Sequence, residues 1–324
     1  MKSIMQKDLW SITSFLENKN YKFNKENILT QLPEKFIDEA IKAISSWDNY
    51  APTPLVKLNK LNEELKFKNI YYKDEDKRFE LKSFKALGGA FAVYKIASEK
   101  KNITVSTATA GNHGRSVAWG AQRLGLNCKI FISEFVSESR AEAMRNLDAE
   151  VIRVKGNYDN SLKECIEQSN KNNWEIVQDV SWEGYKEVPK LIMAGYTIMV
   201  KEIIDEINKN SITHVFLQAG VGGMAAAMIA GFTKLSENIP QFIIIEPENA
   251  DCVFQSIKNT TQSFRSPQSL TVIRRGNSDF KSGEVIYTPP RGDGIIESKI
   301  QNLLFFLHNE NGIDPLIKMG IAHY

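Results

Sequence analysis

Apolar positions from residue 69 to 246 recur in two alternating patterns. Short β-branched runs at 69–73, 103–107, 129–132, 150–154, 175–178, 214–218 and 242–246 read as strands. Between them, apolar residues three or four apart predict helices over 89–100, 112–124, 137–147, 161–172 and 222–235. A longer helical pattern covers 185–208, and the first fifty residues carry only a weak helical period. Alternating βα units of this kind predict an α/β fold of parallel sheets covered on both faces. From about Lys258 the pattern stops: 258–294 is rich in Ser, Thr, Asn, Gly and Pro. The apolar run Leu303–Leu307 is too short to type by period.

Composition narrows the partners. The chain has 324 residues, 42% hydrophobic and 25% charged, with a net charge of +2. That balance gives no electrostatic case for nucleic acid or an anionic membrane. No apolar run is long enough for a bilayer, and Met1–Asp8 lacks the apolar core of a secretory signal. Three scattered cysteines fit a reducing cytoplasm rather than a disulfide framework, and four histidines show no metal-ligand spacing.

Four segments carry candidate chemistry. Lys85 is a lone cation in Ser83-Phe84-Lys85-Ala86-Leu87-Gly88-Gly89. Desolvation there would lower its pKa and free a nucleophilic amine, of the kind that condenses with carbonyl compounds such as pyridoxal phosphate (PLP). The other reading is a surface lysine whose stem lies on apolar neighbours. Gly220-Val221-Gly222-Gly223-Met224 follows a strand and opens a helix. It reads either as a backbone phosphate cradle or as a tight strand–helix turn, and matches neither dinucleotide nor P-loop fingerprints. In Ala110-Gly111-Asn112-His113-Gly114, Asn112 offers donors and acceptors to a polar ring substituent; His113 is either a base or structural. Asp179 ends a strand, as a turn cap or as a carboxylate able to move a substrate proton.

These segments, with Trp182-Glu183-Gly184-Tyr185 and Glu246–Cys252, resemble the diaminopropionate ammonia-lyases over about residues 45–257. Those are PLP enzymes of the tryptophan-synthase-β group, fold type II. The resemblance implies two domains, a large one from 1–88 plus 200–324 and a small one from 89–199, with the cofactor between them. It implies that Lys85 forms the Schiff base and that Asn112 meets the ring hydroxyl oxygen. Gly220, Val221, Gly222, Gly223 and Met224 would hold the phosphate, and Asp179 would act on the L-substrate. The implied reaction is elimination from 2,3-diaminopropionate, a small amino acid, to pyruvate and ammonia; a homodimer is implied as well.

Two departures qualify this. Ala110 stands where the family usually has an aspartate associated with the D-isomer, so activity is expected to favour the L-isomer. Residues 258–324 do not resemble the family's late region, where a serine or threonine meets the pyridine nitrogen, and Ser282-Gly283-Glu284 is only an echo of it. An incomplete large domain with an open sheet edge, and hence poor solubility, is expected. Two alternatives stay open: a serine/threonine dehydratase of the same fold, and a C-terminally degenerate protein with little activity.

Overall fold

A computed structural model describes residues 11–17, 23–207, 212–247, 251–259, 271–276 and 303–308. In chain order the first half runs β1 (Ser11–Glu17), α1 (Lys25–Gln31), α2 (Glu34–Ser45), β2 (Leu55–Lys57), α3 (Asn59–Leu65), β3 (Asn69–Asp74), a 3-10 turn (Glu75–Glu80), α4 (Lys85–Glu99), β4 (Thr104–Ala108), α5 (Asn112–Arg123) and β5 (Asn127–Ser133). It continues as α6 (Glu138–Arg145), β6 (Ala149–Val154), α7 (Tyr158–Asn172), β7 (Glu175–Ile176), α8 (Glu187–Tyr196), α9 (Ile198–Glu206), β8 (His214–Gln218), α10 (Gly223–Leu235), β9 (Gln241–Pro247), α11 (Cys252–Asn259), β10 (Thr271–Gly276) and β11 (Leu303–His308). Ser282-Gly283-Glu284 and Glu248-Asn249-Ala250 lie outside the described residues. None of the described helices is long and apolar enough to cross a membrane.

The chain divides into two compact units. The first comprises 1–30, 54–74 and 203–324 and holds a seven-stranded sheet in the order β1-β10-β9-β8-β11-β3-β2. This sheet is mixed rather than wholly parallel. β8, β9 and β10 run parallel, whereas β11 is antiparallel to both β8 and β3. The untyped run at 303 is thus a strand. In β8 and β9 the apolar residues on both faces are buried, among them Val215, Phe216, Leu217, Phe242, Ile243 and Ile244. That double burial is why these strands read as continuous hydrophobic runs.

The second unit comprises 31–53 and 75–202. Its four-stranded sheet, in the order β6-β5-β4-β7, is parallel throughout. Ala108 and Phe131 pack on Cys165 of α7. Two differences from the sequence expectations have physical causes. The helical pattern at 185–208 splits at Thr197, where the Thr197 hydroxyl donates to the Ala194 carbonyl (2.6 Å) and the ladder restarts with α9. Conversely, α4 begins at Lys85, four residues early, despite Gly88 and Gly89 in its first two turns. Glycine is a poor helix former, but here close packing overrides propensity. A Cβ on Gly89 would fall 2.4 Å from the Ser116 hydroxyl of α5, and one on Gly88 2.5 Å from the Ile192 carbonyl of α8.

This unit also buries a charge network. The Arg78 guanidinium, 1% exposed, donates to Glu75 (2.8 and 2.7 Å) and Glu202 (two bonds of 2.7 Å). The Tyr50 hydroxyl also donates to Glu202, at 2.8 Å. The network ties the Glu75–Glu80 turn, which leads into α4, to α9.

Candidate active site

In the second unit the C-terminal ends of β4 and β7 lie side by side, because the two strands pair in parallel. Ligands of parallel α/β sheets gather at such ends. The turn after β4 delivers Asn112 and His113 at the start of α5, and the segment after β7 delivers Gln178 and Asp179. Lys85 arrives at the start of α4, which the glycine contacts above hold against α5.

Lys85 Nζ lies 2.5 Å from Asp179 Oδ2, and the two side chains are 22% and 18% exposed. The Phe84 and Tyr196 ring centroids are 5.8 and 5.9 Å from the same nitrogen. Burial works against the Lys85 ammonium, but the Tyr196 hydroxyl and the Asp179 carboxylate outweigh it and raise the pKa above the ordinary lysine value. The expectation of a depressed lysine pKa is therefore corrected: the apolar sequence neighbourhood supplies the desolvation, but a carboxylate 94 residues away overrides it. Burial also disfavours ionised Asp179, yet His113 and Lys85 together hold its carboxyl well below the usual range. Burial lowers the His113 pKa, and the Asp179 carboxylate opposes that shift.

His113 is 3% exposed and its ring orientation is set by Nε2, 2.8 Å from the Val177 carbonyl. As the carbonyl can only accept, Nε2 carries a proton. Nδ1 sits 3.9 Å from Asp179 Oδ2.

Asp179 is pinned by its neighbours. The 175–178 strand expected from sequence ends at Ile176, and the buried Gln178 side chain takes over the pairing. Its amide oxygen accepts from Thr107 Oγ1 (2.7 Å) and Ala108 N (3.0 Å); its nitrogen donates to Ala108 O (2.9 Å) and Tyr158 Oη (2.8 Å). The side-chain amide thus uses its full hydrogen-bonding capacity. Tyr185 adds a second clamp, donating to Ile176 O and accepting from Gln178 N, both at 2.8 Å. The turn Trp182–Tyr185 that presents it has Gly184 at φ +82° in its third position, where a left-handed backbone favours glycine. Trp182 stacks on Tyr185 with centroids 4.0 Å apart. Gln178→Leu is expected to cost about 2–4 kcal/mol by stranding buried polar groups of Thr107, Ala108 and Tyr158. A urea midpoint matching that of the parent chain would contradict this.

The first unit carries the glycine loop. β8 ends at Gln218, Gly222 takes φ +87° as the cap of α10, and the first helical bond runs from Ala226 N to Gly222 O. The amides at the start of α10 therefore have no intrahelical acceptor and, with the helix dipole, suit an anion. A Cβ on Gly220 would meet nothing within 4 Å, so the loop is open there. Glu246, at the end of β9, accepts from Val253 N (3.0 Å) and Phe254 N (2.8 Å) and so caps α11. Cys252 Sγ lies 2.7 Å from Gly220 O, tying α11 to the loop. In the second unit, a primary amine beside a carboxylate is of the type that takes the PLP aldehyde; in the first, taken by itself, a glycine-rich helix start is of the type that takes a phosphate.

Sequence reasoning passed over Tyr196 and the pairing role of Gln178. Tyr196 looks like any aromatic residue on a buried helix face. Gln178 stands at an expected strand end, but its side-chain pairing depends on the strand stopping at Ile176, which no local pattern marks.

Residues 47–285 match the profile of a family described as pyridoxal-phosphate dependent enzyme. The chain is 38% identical over 228 residues to a diaminopropionate ammonia-lyase of Escherichia coli K12, covering 64% of this chain and 57% of that enzyme. A biosynthetic L-threonine dehydratase of Haemophilus influenzae is 30% identical, over 61% of this chain and 36% of that one. The chain thus spans little more than half the length of the ammonia-lyase it matches. A crystal structure of the Escherichia coli diaminopropionate ammonia lyase with an aminoacrylate-PLP azomethine reaction intermediate superposes with a TM-score of 0.73 at 31% identity, over 83% of this chain and 78% of that one. A threonine deaminase from Solanum lycopersicum gives 0.61 at 25% identity, over 73% and 60%. The α/β architecture is therefore that of fold type II. Since the profile match takes in well over half the sequence, including Lys85, Asp179 and the glycine loop, the chain belongs to the pyridoxal-phosphate dependent enzyme family.

Proposed function

We propose that this chain is a lyase that eliminates ammonia from L-2,3-diaminopropionate. The observation that carries the reading is the Lys85–Asp179 pair at the end of a parallel strand, in a chain 38% identical to a diaminopropionate ammonia-lyase. Lys85 is the residue that binds the cofactor covalently. Asn112 holds its ring hydroxyl oxygen, and the backbone amides of Gly220, Val221, Gly222, Gly223 and Met224 hold its phosphate. When bound, PLP supplies an aldehyde for the substrate amine and an electron-poor ring that takes up the electrons of the broken Cα–H bond.

The protein's own part is proton traffic. Asp179 Oδ2, kept ionised, is the acceptor for the α-proton of the L-substrate. Lys85 Nζ, whose environment favours the protonated form, donates to the departing β-amino group. That donation is needed because ammonia leaves far more readily than an amide ion. Loss of the β-amino group gives aminoacrylate; water then hydrolyses it to pyruvate and a second ammonia. One water is consumed and two ammonia molecules are released per substrate.

Ala110 contributes no ionisable group, so Asp179 is the carboxylate that serves the site and the L-isomer is favoured. Pyruvate release from L-2,3-diaminopropionate, its D-isomer, L-serine and L-threonine tests this. L-diaminopropionate should be turned over fastest. Equal or faster turnover of the D-isomer would contradict the stereochemical assignment, and a preference for the hydroxy amino acids would point to a dehydratase.

A further inference from the structure

Tyr196 occupies a position for which neither the fold nor the proton traffic above gives a reason. It is 1% exposed, and its hydroxyl has no partner within 3.5 Å in good geometry among the described residues, although it lies close enough to Lys85 to act on the ammonium. A buried, unsatisfied phenol costs free energy that a phenylalanine would avoid. Two close contacts put it where it is. A Cβ on Gly195 would lie 2.7 Å from Gly88 Cα, so α8 and α4 cross almost backbone to backbone. A Cβ on Gly88 would lie 2.5 Å from Tyr196 Cε1, so the ring lies over the bare stretch of the helix that Lys85 begins. Phe84 meets the same ring edge-on, with centroids 5.1 Å apart. Lys85 Nζ is 5.9 Å from the Tyr196 ring centroid, and Tyr196 is among the groups that favour its ammonium. The polar groups that act on this nitrogen, or feel its charge, are Asp179 from the segment after β7, Tyr196 from α8 and His113 from α5.

We propose that Tyr196 is a positioning residue for Lys85: its phenol becomes the hydrogen-bond partner of the lysine amine whenever Asp179 is engaged elsewhere. In the resting chain Asp179 holds the ammonium. Once that carboxylate turns to a substrate proton, a lysine on a flexible four-carbon stem needs a second anchor to stay over the reacting atoms. A phenol suits both protonation states of the amine, accepting from the ammonium and donating to the neutral form. Burial pushes the Tyr196 pKa up to about 12, which keeps it neutral and able to do both. This inference rests on the reading of Lys85 as the reactive amine.

The test uses the 324-residue chain without added cofactor. In an Asp179→Ala background the first anchor is gone, and short acetic anhydride pulses across neutral to alkaline pH, with peptide mapping, give the midpoint of Lys85 acetylation. Adding Tyr196→Phe should lower that midpoint by about one pH unit, because a hydrogen bond to the ammonium is lost. The melting temperature should not fall, because the ring is kept and only an unsatisfied hydroxyl is removed. An unchanged midpoint would overturn the proposal. So would a lowered midpoint accompanied by a lower melting temperature, which would mark the phenol as structural. Borohydride trapping of PLP on Lys85 in the parent chain reports separately on the underlying reading, so failure of one is distinguishable from failure of the other.

Discussion

Replacing Asp179 by asparagine is expected to lower turnover of L-2,3-diaminopropionate by about 10²–10⁴-fold, the range spanned by a positioned general base. The amide fills the same space and can still meet Lys85 Nζ, but it cannot take up a proton. The cofactor should still attach to Lys85, since that step draws on the amine and not on the carboxylate. The neutral neighbour also removes one of the groups that stabilise the ammonium, so Lys85 should react with amine reagents at lower pH than in the parent chain. Steady-state pyruvate release and reductive trapping, measured on one preparation, separate the two effects. Unchanged turnover would remove Asp179 from the mechanism.

The second large effect concerns stability. Arg78→Leu is expected to destabilise the chain by about 3–5 kcal/mol, the usual cost of removing one partner from a buried charge network. Here the loss leaves Glu75 and Glu202, 0% and 3% exposed, without the guanidinium that bridges them. Equilibrium urea unfolding should show a lower midpoint with little change in slope. Because the network sits at the turn that feeds α4, the variant should also bind less cofactor before it unfolds globally. A midpoint within about 0.5 kcal/mol of the parent chain would show that the network is not a main contributor.

Much of the second unit could be read from the sequence, and the reason is its local regularity. β4, β5 and β6 carry compact β-branched or apolar runs, each followed by a helix with its own period, and the structure places them within one or two residues of the expected bounds. The chemistry-bearing positions Lys85, Asn112 and Asp179 were visible because each stands at a strand end or helix start next to glycine or a change of period. What could not be read depended on distant contacts. The Lys85 pKa is decided by Asp179, 94 residues away, so the local apolar setting pointed in the wrong direction. Arg78 reads as one more charge in Asp76-Lys77-Arg78, and only the fold brings Glu202 to it. β7 looked longer than it is because Gln178 continues the pairing with its side chain rather than its backbone. The mixed character of the large sheet escaped for a related reason: the run at 303 has no period of its own, and its direction is set by β8 and β3.

The chemistry proposed for this chain requires that Lys85 be the amine that takes the cofactor. The most direct measurement is to add PLP to the purified 324-residue chain, reduce with borohydride, and map the modified peptide. The account predicts an absorbance band in the visible or near-ultraviolet before reduction and a single stoichiometric phosphopyridoxyl adduct on Lys85 after it, absent from Lys85→Ala. An adduct spread over exposed lysines, with Lys85 unmodified, would contradict it.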